Sequence, residues 1–192
     1  QAIAAFDEAL KLSPGVLAVR RYLIQANLSA KKYSAALELA RAALKEHPND
    51  LHFARLEAQA LRESGNPDQA FTVLENVVKQ RADQPMAYVT LARAYSDGER
   101  SEQAVKVLQD AQVKFPTEPA IAFELGALFV KKKRYADAEA AFLQVLARDP
   151  DNAPALNYLG YMLAERGERL DESVGYLKKA LEIEPENAAY LD

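Results

Sequence analysis

The chain has 192 residues, with 24 Lys and Arg against 28 Asp and Glu, a net charge of −4 and no cysteine. The missing cysteine excludes disulfides, thiolate metal sites and cysteine nucleophiles, and the two histidines, His47 and His52, are too few for a multi-histidine centre. No apolar run approaches the roughly 18 residues of a membrane span, and the acidic balance argues against general nucleic-acid binding.

The chain repeats itself, which is the first thing to establish in any sequence. Pro14, Pro48, Pro116 and Pro150 stand 34, 68 and 34 residues apart, and Pro185 lies one residue off the next step. The tails leading into them are alike: ALKLSP, ALKEHP, AQVKFP, VLARDP and ALEIEP. At the midpoint of the double gap, Ala82, the proline is absent. A second column reads Ala36, Ala70, Ala104 and Ala138 at steps of 34, then Ser173 at 35. A third reads Ile24, Ala58, Ala92, Gly126 and Gly160.

In chain order, residues 1–16 are expected to be the second helix of a truncated block. Full blocks follow at 17–50, 51–84, 85–118, 119–152 and 153–187, the last having 35 residues with the extra one near Glu168-Arg169-Leu170. Residues 188–192 would open a further block, and the whole is expected to be one domain. Each block reads as two helices, because apolar residues recur at three and four, as in Leu91, Ala92 and Tyr95, then Ala104, Val105, Leu108 and Ala111. Gly65-Asn66-Pro67, Asp97-Gly98 and Arg166-Gly167 mark the turns between the two helices. Asp68, Ser101, Asp137 and Asp171 fall near the starts of second helices, where they would serve free N–H groups or the helix dipole. The closing proline stops the second helix. Two short helices cannot bury their apolar faces alone, so blocks must stack into a continuous core.

This pattern resembles the tetratricopeptide repeat (TPR) family. Leu156, Leu159-Gly160, Leu163, Leu177, Ala180 and Pro185 of the fifth block match its motif, as do Leu125-Gly126, Phe129, Ala138, Phe142 and Pro150 of the fourth. The third contributes Tyr88, Leu91-Ala92, Tyr95, Ala104, Leu108 and Ala111. The resemblance implies an all-α fold, a right-handed α-solenoid of stacked antiparallel helix pairs. It implies a noncatalytic scaffold or adaptor that binds another protein or peptide, with no cofactor. Arg20, Asn27, Ala40 and Glu57 depart from it, standing where large apolar residues are usual. The 35-residue RNA-binding PPR arrays are a neighbouring pattern, disfavoured by the steady 34 and the acidity. Residues Asn157 to Arg166 look like a block of bacterial outer-membrane TPR lipoproteins, which implies a periplasmic setting; the cytoplasm is the alternative.

No catalytic constellation stands out: there is no Gly-rich phosphate loop and no HExxH. His47 and His52 read as exposed turn residues, and abundant Asp and Glu as helix surface. Lys131-Lys132-Lys133-Arg134 reads as a solvated turn whose charges suit the end of the preceding helix. An acidic partner or a membrane surface is the sharper reading of that run. Asn27-Leu28-Ser29 fits the glycosylation sequon, most simply by chance.

The inner surface of such an array is lined by first helices. If Leu125, Gly126 and Phe129 face the core, Phe123, Glu124, Ala127 and Val130 face outward. The same offsets give Arg21, Tyr22, Gln25 and Leu28; Arg55, Leu56, Gln59 and Arg62; Val89, Thr90, Arg93 and Ser96; and Asn157, Tyr158, Tyr161 and Ala164. The expected groove has two parts. Arg21, Arg55, Arg62 and Arg93, with Tyr22, Gln25 and Gln59, would meet carboxylates or backbone carbonyls of a partner. Phe123, Tyr158 and Tyr161 would bury its apolar side chains, with Asn157 a further partner-binding position beside them. Chaperone-tail receptors of this family use Lys and Asn, whereas the comparable places here hold Arg21, Gln25, Leu56, Met86 and Thr90. Two rival functions remain: a docking or regulatory segment of a larger enzyme, and a self-association module using exposed repeat ends.

Overall fold

Helices alternate with turns of two kinds, and both kinds recur with the period of the sequence. The computed structural model describes residues 2–13 and 15–187. Pro14 as a period mark, and the block start expected at 188–192, lie outside the described residues. Among the described residues there are eleven helices and no strand. The first helices are α2 (Leu17–Ser29), α4 (Leu51–Glu63), α6 (Pro85–Asp97), α8 (Pro119–Lys131) and α10 (Ala153–Arg166). The second helices are α1 (Ala2–Leu12), α3 (Tyr33–Glu46), α5 (Pro67–Gln80), α7 (Ser101–Lys114), α9 (Tyr135–Leu146) and α11 (Leu170–Ile183).

Each first helix closes in the same way. The N–H groups of Lys32, Asn66, Arg100, Arg134 and Glu168 donate back to the carbonyls of Asn27, Leu61, Tyr95, Phe129 and Leu163, at 2.8–3.0 Å. This wrap satisfies carbonyls that the helix leaves open, and it needs a left-handed residue just before the donor. Those residues are Lys31, Gly65, Glu99, Lys133 and Gly167. The third turn therefore places its positive φ on Glu99, not on the neighbouring Gly98 that the sequence offered. In the last block the extra residue is taken up at Arg169, a second left-handed position in the same turn.

Helix starts correct the sequence reading. None of α3, α5, α9 and α11 has a side-chain cap. Side-chain caps stand instead on first helices: Asp50 accepts from His52 and Phe53, Glu118 from Ala120, and Asn152 from Ala155. The N-cap positions of α3, α9 and α11 hold Lys32, Arg134 and Arg169, whose side chains carry no acceptor, and Asn66 before α5 turns its amide to Ser64. Asp68 and Asp137 lie in first turns, where the dipole favours them. Both also form ion pairs, Asp68 with Arg100 and Asp137 with Arg134.

The described residues fall into two compact units that divide between Arg100 and Ser101. In the first, each of α1 to α5 packs on its successor, and the first helices also touch, α2 with α4 and α4 with α6. In the second, α7 to α11 pack in the same order and α8 touches α10. The two columns of small residues sit at these crossings. Ala36, Ala70, Ala104 and Ala138 are buried, as are Ala58, Ala92, Gly126 and Gly160. A Cβ on Gly126 would lie 2.7 Å from the Phe142 ring, so the pair of helices closes only because none is present.

The polar intruders of the first two blocks are compensated. Arg20 pairs with Glu46 at 2.6 Å, and buried Glu57 accepts from Arg41 at 2.8 Å. Buried Asn27 donates to the carbonyl of Leu23, one turn back, at 2.9 Å. Its burial also takes it away from any glycosyl donor. Neighbouring blocks are further joined by acids at the start of one second helix and cations in the next turn: Asp68 with Arg100, Glu102 with Lys132, and Glu139 with Arg169. Within the basic run, Lys132 and Arg134 are thus held by carboxylates, and Arg134 also lies over the Phe129 ring.

Candidate protein-binding faces

Elimination by one helical face misplaced three residues. Leu28, Leu56 and Val89 are buried, because α2, α4 and α6 each touch more than one other helix of their unit. A helix sandwiched in this way buries a wider stripe than a surface helix does. Thr90, Ser96, Phe123, Glu124, Ala127 and Val130 are half-buried.

In the first unit, Arg21 is committed inside the fold. Its Nη2 donates to Asp50 at 2.6 Å and its guanidinium lies 5.5 Å from the centre of the Phe53 ring, while its Nε is buried without a partner among the described residues. Asp50 is consequently doing two jobs, capping α4 and holding Arg21. Burial works to raise its pKa, but the Arg21 bond, the N–H groups of Phe53 and His52 and the charge of Arg21 outweigh this and hold it below the usual carboxylate value. A lowered folded-state pKa gives stability that is present above about 3.9, the unfolded value, and is lost as pH falls through the folded value. Asp50→Ala should cost about 1 kcal/mol at neutral pH, as lost caps do. Urea unfolding should show the gap to wild type closing as pH falls below about 4.

Four of the named residues, Arg55, Gln59, Arg62 and Arg93, converge on one cavity of about 170 Å³ within the first unit. Its apolar lining is Ala58, Ala70, Phe71, Leu74 and Ala94; Thr90 and Asp97 complete it. Arg62 pairs with Asp97 at 3.0 Å. Arg55 and Arg93 are exposed, and Arg55 has no ion pair among the described residues. Phe71 and Leu74 come from α5, a second helix, and were not expected here. Three alanines around one aromatic ring were the available signal, since small side chains beside a large one leave a hollow.

Phe71 is held firmly. Its ring lies 4.8 Å from that of Tyr95, and Arg100 stacks over it at 4.3 Å. A Cβ on Gly98 would come within 2.6 Å of its Cζ. Tyr95 donates its hydroxyl to Glu75 at 2.5 Å. Burial, that bond and the Glu75 charge push the Tyr95 pKa up to about 12. Tyr22 and Gln25 lie apart from this cavity, both exposed, with Tyr22 stacked on Phe6 at 5.7 Å.

In the second unit, Phe123, Phe142 and Tyr158 form one aromatic cluster. Tyr158 stacks on Phe142 at 5.1 Å and meets Phe123 edge-on at 5.6 Å. Tyr158 thus divides its ring between packing and solvent. Tyr161, one turn on, is 61% exposed, and Asn157 is half-buried. No group of three or more His, Cys, Asp or Glu placed to hold a metal occurs among the described residues. No helix among them is long and apolar enough to cross a membrane.

Hairpins of this length, with small residues at the crossings and one wrapped turn in each, define a helical-repeat protein. Family profiles described as tetratricopeptide repeat match residues 1–60, 61–128 and 123–188, and the chain belongs to that family. It is 33% identical over 149 residues to TPR repeat-containing protein PA4667 of Pseudomonas aeruginosa, covering 75% of this chain and 25% of that protein. Cellulose synthase operon protein C of Salmonella typhimurium is 31% identical over 140 residues, 71% of this chain and 12% of that protein. The chain therefore spans a quarter or less of these curated relatives. Among solved structures, TTC0263, a thermophilic TPR protein of Thermus thermophilus, superposes with a TM-score of 0.66 at 26% identity, over 90% of this chain and 93% of that one. YrrB, described as a TPR protein with an unusual peptide-binding site, gives 0.58 at 18% identity, over 99% and 97%. MamA gives 0.61 at 23%, over 88% and 98%. The last two likenesses concern the fold alone. The repeats place the chain among protein-interaction scaffolds.

Proposed function

We propose that the chain is a noncatalytic scaffold that holds a partner polypeptide on its first-helix faces. Each unit would contribute its own patch. In the first, Arg55, Gln59, Arg62 and Arg93 surround the cavity, with Tyr22 and Gln25 nearer the N-terminus; Arg21 serves the fold instead. In the second, Phe123, Tyr158 and Tyr161 would form an aromatic patch, with Asn157 beside it. The observation that carries this reading is the convergence of three arginines on an apolar hollow. Side chains kept only for solubility have no reason to ring one.

Site-specific photocrosslinking in a native host tests the reading. A benzoylphenylalanine at Gln25, Arg55 or Tyr161 should give discrete protein adducts. The same residue at Lys106 or Val113, exposed on α7, should not. Adducts arising only from the α7 positions would defeat it. A second reading, that the chain docks substrates for a larger polypeptide, is favoured by the small share it spans of its curated relatives. It uses the same faces.

A further inference from the structure

Taking the scaffold reading as given, we infer that the aromatic face of the second unit docks an uncharged, proline-rich segment of a partner in the polyproline II conformation. Charge narrows the choice first. On the outward side of α8, Glu124 and Lys131 are already engaged. On α10, Glu165 is exposed one turn beyond Tyr161. The face therefore offers no free cation to an acidic segment. What remains of it is uncharged: Phe123, Ala127 and Val130 from α8, with Asn157, Tyr158 and Tyr161 from α10. The two helices touch, so these residues form one surface.

Hydrogen-bonding capacity decides the backbone of the partner. The hydroxyls of Tyr158 and Tyr161 and the amide of Asn157 have no hydrogen-bond partner among the described residues. All three can donate to backbone carbonyls. A helical partner has already spent its carbonyls on its own turns. A partner strand needs a sheet edge to pair with, and there is no strand among the described residues. A polyproline II chain makes no internal hydrogen bonds and leaves its carbonyls open. Its prolines can also lie against aromatic rings, and its fixed backbone loses little entropy on docking. The platform is equally prepared. Tyr158 is held with its ring stacked on Phe142 at 5.1 Å and edge-on to Phe123 at 5.6 Å. Tyr161, on the next turn, adds a second and freer ring.

Fluorescence anisotropy with labelled twelve-residue peptides is the test. The first peptide carries Pro at two of every three positions and Leu at the third. The second has Gly or Ser in place of each Pro, and the third keeps Pro but replaces Leu with Glu. The first should bind, and the other two at least tenfold more weakly. Tyr161 makes no ring contact or hydrogen bond among the described residues. Tyr161→Ala should therefore keep its helices, checked by circular dichroism, and weaken binding about tenfold or more. Tyr161→Phe loses only the hydroxyl, so its loss should be smaller, roughly 2–10-fold. Val113→Ala, at an exposed position on α7, should bind as wild type does. Equal binding of the Pro and Gly/Ser peptides, or a preference for the Glu version, would overturn the docking site. So would a folded Tyr161→Ala variant that binds like wild type, or binding by none of the three peptides. Those failures leave the scaffold reading standing if crosslinks from Arg55 or Tyr161 to a native partner persist, because the two experiments share no probe.

Discussion

Phe142→Ala is expected to cost about 3–5 kcal/mol, the range for emptying a buried aromatic position, and to reverse the sign of a second substitution. The Phe142 ring is fully buried, with Tyr158 stacked on it and Phe123 at its edge. Gly126 faces the same ring, and a Cβ there would fall 2.7–2.9 Å from three of its carbons. Gly126→Ala alone gains about 1 kcal/mol of helix propensity and incurs about 1–3 kcal/mol of overpacking. The ring has no free side to move toward, so the net effect should be destabilising. With Phe142 shortened to Ala the conflict is gone and only the propensity gain remains. Gly126→Ala should then stabilise by about 1 kcal/mol. Urea unfolding of the four proteins measures the cycle. An equal effect of Gly126→Ala in both backgrounds would mean that the ring is not what excludes a side chain from position 126.

The same reasoning explains why the fold was so legible. A column of small residues records where two helices come closest, and the closest approach recurs wherever the hairpin recurs. Ala36, Ala70, Ala104 and Ala138 announced one side of that crossing; Ala58, Ala92, Gly126 and Gly160 announced the other. Turns were less legible because their needs are met by backbone. Glu99 takes the left-handed position although Gly98 is adjacent, since the bond from Arg100 to Tyr95 sets the position by count, not by residue type. The two-helix unit was legible in the apolar spacing and the turn residues; the family resemblance supplied the right-handed solenoid and the expectation of a binding role.

The candidate site was legible only in part. Arg55, Gln59, Arg62 and Arg93 could be grouped because the repeat fixes their relative places. Arg21 could not be separated from them, because its partner Asp50 lies in the following turn and one-helix reasoning does not see it. Phe71 and Leu74 were hidden for a similar reason: they belong to a second helix and show only through a gap left by alanines. Sequence periodicity reports which residues face a neighbour. It does not report where facing residues fail to fill the space.

Gly160→Ala should also destabilise, by about 1–3 kcal/mol, but here shortening the opposing side chain should not reverse the effect. A Cβ at position 160 would meet Leu177 Cγ at 2.6 Å and Cδ2 at 2.9 Å, and the backbone carbonyl oxygen of Ser173 at 3.0 Å. The first two contacts belong to a side chain and vanish in Leu177→Ala. The third belongs to α11 itself. It is also tied in place, because Ser173 Oγ donates to the Gly160 carbonyl at 2.7 Å in a buried position. Moving α11 away would stretch that bond, worth about 0.5–1.5 kcal/mol. Gly160→Ala should therefore recover part of its loss in the Leu177→Ala background and remain unfavourable, in contrast to position 126. Adding Ser173→Ala releases the tie, so the added methyl at position 160 should be tolerated better in the triple variant than in the double. Urea midpoints would settle the order. If Gly160→Ala proved stabilising while Ser173 was intact, α10 and α11 would be free to part, and close backbone approach would not be the reason for glycine at this crossing.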